Sequence, residues 1–208
     1  MSSIETWFLS KADMKRAKKF ADEREAADTS LYARRGGFKK VDIVSGAMAE
    51  LAVYRVLKEY DVEISFPDFK IYETRDKSYS SDLTDGLHHF HVKGQTLESK
   101  QRYGPSWLMQ KSDPLINNPQ RLNYLVPCTV CTETGRVEIY GIFSILSLIQ
   151  NNCVGECKVP WFNKTKVAFY LDHIEPIFTQ KARWGFLRKF KERVERHRQE
   201  VESELRNT

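Results

Sequence analysis

Long apolar runs are missing from this chain of 208 residues, and so is any strong surplus of one charge. No stretch approaches the roughly 18 consecutive apolar residues that a membrane-spanning helix needs, so no membrane partner is expected. The N-terminal MSSIETWFLSKADMKR lacks the apolar centre of a secretory signal. Four cysteines are too few for a secreted disulfide scaffold of this length, and a reducing cytoplasm is the expected compartment. Internal repeats and low-complexity tracts are absent as well, which removes the solenoid and linker classes.

What remains is an ordinary globular composition, 41% hydrophobic and 12% aromatic, with a net charge of +5. The placement of the charge says more than its sum. From Lys181 to Arg198 there are eight Lys and Arg against Glu192 and Glu195, and Arg34, Arg35, Lys39 and Lys40 form a second cluster. Basic clusters of this kind suit a polyanion, because each ammonium or guanidinium displaces counterions from phosphates. A solvated basic surface gives the same pattern.

Helix-forming residues fill 10–29, and the apolar spacing of GAMAELAVYRVLKEY predicts a helix over Gly46–Tyr60, with Ser45 as its cap. Strands are expected over 62–72, 78–84, 87–96, 122–132, 136–143 and 166–173. Residues 105–110 read as short helical or irregular chain, and 145–150 as a short helix. Leu187, Phe190, Val194, Val201 and Leu205 recur at helical spacing and predict an amphipathic helix over 180–205. This order implies an α/β fold with a mixed β-sheet flanked by helices. It divides into a basic helical N-terminal extension (1–44), a core (45–178) and a basic C-terminal helix (179–208).

The segment DLTDGLHHFHVKGQ is where the chemistry gathers. If Asp85-Gly86 forms a two-residue turn, Thr84 faces Leu87 and Asp82 faces His89. Alternation then places Asp82, His89, His91, Lys93 and Gln95 on one face of the hairpin, with Phe90 and Val92 on the other. Phosphodiester hydrolysis calls for such a set: a carboxylate and a second ligand hold a hard cation, and a lysine positions the attacking water or offsets charge on the phosphorane. An exposed hairpin with a solvated polar face is the plainer alternative. Upstream, Glu50 has Ala47, Val53, Tyr54 and Leu57 at helical spacing, so it lies on or beside an apolar stripe where an unpaired carboxylate is costly.

A helix glutamate followed by Asp82-Leu83 and then His91-Val92-Lys93, with Gln95 beyond, resembles the PD-(D/E)XK nuclease superfamily over about residues 45–95, and more loosely to Phe143. Pro67-Asp68 imitates that family's Pro-Asp pair but lies too far upstream to fit. The resemblance implies a restriction-endonuclease-like core and a DNA endonuclease requiring Mg²⁺ or Mn²⁺. Asp82, Glu50 and His91 would serve as metal ligands, Lys93 as base or electrostatic stabiliser, and Gln95 would orient water or phosphate. HVKGQ followed by GPSWLMQKSDP also looks like phage or bacterial relatives, which would act in a host cytoplasm. His91 departs from the family's acid. An imidazole suits softer first-row metals and favours Mn²⁺; alternatively Asp82, Glu50 and the Val92 carbonyl suffice. The same departure admits a non-catalytic nucleic-acid-binding protein that kept the fold. DNA is the expected partner, bound by Arg34, Arg35, Lys39, Lys40, Lys189, Lys191 and Arg193. Two-strand cutting of a duplex favours a homodimer.

Cys128, Cys131, Cys153 and Cys157 form two pairs that would make a structural zinc site only if they converged, and buried free thiols are the alternative. Trp107 reads as a core aromatic, with stacking on a base as its functional alternative.

Overall fold

The computed structural model describes residues 4–27, 40–72, 80–189 and 191–192. The N-terminal strand β1 (Glu5–Phe8) leads into helix α1 (Lys11–Ala26), started by Ser10, whose Oγ accepts from the Asp13 N–H. Asp13 is buried and takes Arg55 of the next helix at 2.9 Å, joining the two. That helix, α2 (Lys40–Glu59), is the longest described and buries Val44, Ala47, Met48, Leu51, Ala52 and Val56 along one side. The expected start at Gly46 is corrected: α2 already runs at Lys40, and Ser45 is interior and buried rather than a cap. The apolar spacing simply begins earlier, at Val44.

Strands β2 (Leu83–Thr84), β3 (His89–Thr96), β5 (Asn123–Cys131) and β6 (Arg136–Ile139) form the main mixed sheet with β1, in the order β1-β6-β5-β3-β2. Among the described strands only β3 and β5 pair in parallel, in register from His89↔Asn123 to Thr96↔Val130. A parallel pair needs a crossover. Here it contains α3 (Leu97–Tyr103), capped by Thr96, then β4 (Ser106–Gln110) and α4 (Pro114–Asn117). The β5–β6 hairpin across Glu133-Thr134-Gly135 forms as expected. Then follow β7 (Phe143–Ser144), paired to β5, and α5 (Ile145–Gln150). After them come β8 (Val154–Glu156), β9 (Lys166–Tyr170), α6 (Leu171–Ile174) and α7 (Gln180–Arg183).

A second sheet, β4-β9-β8, goes beyond what the residue patterns predict. The stretch expected to be irregular around residue 107 is a strand because its partner, β9, lies far along the chain, where local propensity carries no information. Helix α6 replaces the last residues of the strand expected to reach His173. Between residues 62 and 72, expected as strand, the described chain has no regular structure.

The two faces of the main sheet have different covers. Phe90, Val92, Val126, Cys128 and Val130 share a core with α1 and α2. Leu125 and Phe143 pack instead with Met109, Ile145, Leu148, Phe169 and Ile174. Trp107 is 2% exposed and donates its indole N–H to the Cys128 carbonyl at 2.8 Å, so it is a core aromatic. Near the C-terminus Leu187 is buried in the first core, and the remainder of the expected helix beyond Glu192 lies outside the described residues.

Helix α2 comes close to β3 at Gly94, where an added Cβ would sit 3.0 Å from the Ser45 carbonyl oxygen and 3.3 Å from the Ala49 Cβ. Gly46, one residue along the helix, has open space around it. Gly94→Ala is therefore expected to destabilise by about 1–3 kcal/mol through overpacking. Gly46→Ala should stabilise by about 0.5–1 kcal/mol by restricting the unfolded chain. Paired urea or thermal melts check this, and equal behaviour of the two variants contradicts the close packing.

Candidate active site

The hairpin differs from expectation in its turn. Residues 85–88 form the loop, and the register is Thr84↔His89 and Leu83↔Phe90. Asp85 is the cause. Its carboxylate accepts from the N–H groups of Leu87 (3.0 Å) and His88 (2.6 Å), while its second oxygen lies 2.8 Å from His88 Nδ1. These bonds make a four-residue cap more favourable than a two-residue turn, with Gly86 supplying the positive φ of 88°. The register moves by two residues. Because side chains alternate with period two, an even slip keeps each on its face, and Asp82 still shares a face with His91.

Asp82 lies just before β2 and straddles His91. Its own N–H donates to the Phe90 carbonyl at 3.1 Å, and its Oδ2 accepts the Val92 N–H at 2.7 Å. The carboxylate thereby stands in for a ladder carbonyl at the end of the short strand. Oδ1 is not used by that bond.

His91 lies on the face of β3 turned away from α2 and is 4% exposed. Its Nε2 is 2.9 Å from Asn123 Oδ1. An amide oxygen only accepts, so this bond assigns the ring proton to Nε2 and leaves the lone pair on Nδ1. Burial holds its pKa below the ordinary histidine value, helped by the Lys93 charge. The Asn123 bond and the charges of Asp82 and Asp113 oppose that shift without reversing it. His91 is thus a neutral imidazole at neutral pH.

Glu50 comes from α2, on the other side of the strand. As a residue it is half-buried, but protein atoms surround its carboxyl closely. Burial pushes its pKa well above the ordinary glutamate value, and the charge of Asp82 raises it further; Lys93 and Arg24 pull it down. Asp68 adds another negative charge within reach. So Asp82 and Lys93 act electrostatically on both Glu50 and His91, and they are the shared members of the site.

Gln95 stands apart. Its amide accepts from the Ser106 N–H at 3.1 Å and donates to the Gly104 carbonyl at 3.0 Å, fastening the turn between α3 and β4. Three contributors have no signal in the sequence pattern. Asn123 holds His91, and only the parallel register of β3 and β5 brings it there. Arg24 and Asp68 reach Glu50 by tertiary packing, although Pro67-Asp68 lies too far along the chain to fit the family's motif.

Of the basic residues, Lys40 pairs with Asp22 and with Glu25 (3.5 Å), bridging α1 to α2. Lys189 and Lys191 are exposed. Arg34, Arg35, Lys39 and Arg193 lie outside the described residues. The cysteines do not assemble into a zinc site. Cys128 is buried in the core under α2 and Cys153 in the core on the opposite face; all four are free thiols, and burial raises the pKa of both.

The donor set suits a hard divalent cation. The charge of Asp82 acts unfavourably on that of Glu50, and a nearby cation would relieve that repulsion. Among the described residues no three His, Cys, Asp or Glu side chains form a ready-made cluster. Magnesium needs only one or two carboxylates when water completes its shell. The chain matches no protein-family model, no curated protein and no solved structure.

The Glu50 shift has a consequence for stability. A carboxyl whose folded pKa exceeds its unfolded value keeps more protons in the fold, so its contribution is complete below the ordinary value of 4.5 and is lost as pH rises through the higher folded value. Glu50→Gln should accordingly melt higher than the wild type at neutral pH and no better at pH 4. Added Mg²⁺ should raise the wild-type midpoint and leave the variant largely unmoved. Identical pH profiles for the two proteins refute the burial of this charge.

Proposed function

We propose that this chain is a divalent-metal-dependent DNA endonuclease built on a restriction-endonuclease-like core, as its resemblance to the PD-(D/E)XK superfamily implies. The observation that carries the reading is the convergence of Asp82, His91 and Lys93 on one strand pair, with Glu50 reaching the same charges from α2. A structural hairpin has no need of two carboxylates and a lysine acting on each other beside a buried imidazole.

The carboxylates of Asp82 and Glu50 would hold Mg²⁺ or Mn²⁺. When bound, the cation lowers the pKa of water and neutralises charge on the scissile phosphate. The Val92 N–H keeps Asp82 Oδ2 in place, so Oδ1 is presented in one orientation. Lys93 lies on the same face and supplies a positive charge to the phosphoryl oxygens or guides the attacking water. Neutral His91, oriented by Asn123, offers its Nδ1 lone pair either to the cation or to a proton. Gln95 acts at one remove, by holding the crossover against β3. Lys189 and Lys191, on the exposed C-terminal segment, meet the phosphate backbone without reading sequence. A homodimer would let two such sites cut both strands of a duplex.

Labelled duplex, single-stranded and branched DNA, offered with Mg²⁺ and then Mn²⁺, test the reading. Lys93→Ala should lower cleavage by on the order of 10²–10⁴-fold while DNA affinity is kept. Asp82→Asn, which retains an acceptor for the Val92 N–H, should do the same. Metal-dependent cutting by the wild type that survives in both variants overturns the assignment. DNA binding with no cleavage under any condition makes the protein a binding domain instead. His91→Glu should remain active and shift preference from Mn²⁺ towards Mg²⁺; an unchanged preference puts His91 outside the cation's ligands. Lys189→Ala and Lys191→Ala together should flatten the slope of log affinity against log salt by up to about 1.8, since each phosphate a lysine neutralises adds about 0.9 to that slope.

A further inference from the structure

Beside the hairpin loop lies a cavity of about 630 Å³, inside the span of roughly 300–1,000 Å³ common for small-ligand sites. Several aromatic rings stand in its walls. Phe186 stands edge-on to His88 at 4.9 Å between ring centres and 5.2 Å from Tyr124, and Phe178 contributes a further ring. Arg188 and Lys189 belong to the same lining, in which no aspartate or glutamate stands among the described residues. The acids beside these lining residues are already engaged: Asp85 is bonded to His88, and Glu192 is 4.0 Å from Arg188. Flat apolar rings beside two cations, with no acid in the lining, are complementary to a ligand that is both planar and anionic.

Two links tie this cavity to the site above. His88 closes the loop whose strand bears His91 three residues later. Tyr124 directly follows Asn123, the residue that holds the His91 ring. A group bound in the cavity is therefore next to the ends of β3 and β5 from which the candidate catalytic residues start.

We infer that the cavity receives one unpaired nucleotide of a DNA strand, its base among Tyr124, Phe178 and Phe186 and its phosphate on Arg188 and Lys189. This deepens the endonuclease reading and rests on it for the identity of the polymer. Stacking on aromatic rings tolerates any base, so recognition would be of unpairedness and not of sequence. The protein would then select substrate containing a bulged, flapped or single-stranded nucleotide near the scissile bond.

The test uses the full-length Lys93→Ala protein, with fluorescence anisotropy on a labelled duplex carrying one extrahelical nucleotide and on the same duplex fully paired. The bulged duplex is expected to bind at least tenfold tighter. Tyr124→Leu should remove that preference while leaving the affinity for paired duplex in place. Equal affinity for the two duplexes overturns the inference, and so does a preference that persists in folded Tyr124→Leu. If Tyr124→Leu does not fold, the double variant Arg188→Ala, Lys189→Ala on the exposed rim takes its place. Calorimetry should then show deoxynucleoside monophosphate binding to the parent and at least tenfold weaker binding to the variant. Unchanged binding, or no binding to the parent, overturns the inference equally. Cleavage assays on the wild type separate the two readings. A bulge preference without cutting rejects the nuclease and keeps the cavity; cutting that is indifferent to the bulge rejects the cavity alone.

Discussion

Parallel pairing of β3 with β5 is the constraint from which the other placements follow. Parallel strands sit inside sheets covered on both faces. Covering the first face requires α2, whose apolar side meets Phe90, Val92 and Val126. Covering the second requires the crossover segment and the smaller sheet, which bury the side that bears His91. A polar strand face that an exposed hairpin would have left in water is thereby desolvated. That desolvation keeps His91 neutral, and the same enclosure at the helix side raises Glu50.

Such burial is adverse for folding. Unpaired charge in a protein interior costs several kcal/mol unless partners or a change of protonation offset it. Elsewhere the chain satisfies its buried acids well: Asp13 has Arg55 and Ser10, and Glu138 has Lys100 at 2.7 Å, Arg136 and Tyr140. Both acids are held below their ordinary pKa values once these partners outweigh burial. Glu50 alone among these three acids is raised, and its strongest charged neighbour is another carboxylate.

Much of this is legible in the residues and some is not. The faces of the hairpin follow from period-two alternation, and they survive a different turn because the slip is even. Had Asp85 extended the loop by one residue instead of two, Asp82 would face the core and the reading would fail. Helical spacing locates Glu50 at the margin of the apolar side of α2. The start of that helix is misread because Ser45 has the chemistry of a cap, whereas it is buried inside the helix and meets the strand through its backbone carbonyl. The second sheet, Asn123 beside His91, and the charge of Asp68 acting on Glu50 all depend on partners distant in sequence, where local patterns are silent.

The close approach at Gly94 has a mechanical meaning beyond packing. Ala49 touches that point from the helix, with Glu50 next to it; Lys93 immediately precedes Gly94 on the strand. Glu50 and Lys93 are therefore each one residue from the same close contact, where only the Ser45 backbone and the Ala49 methyl face the glycine. Helix and hairpin meet there like parts of a vice whose jaws are set by a single hard stop. A hydrogen atom in place of a methyl group at that stop is what lets the helix bearing Glu50 come this close to the strand bearing Lys93.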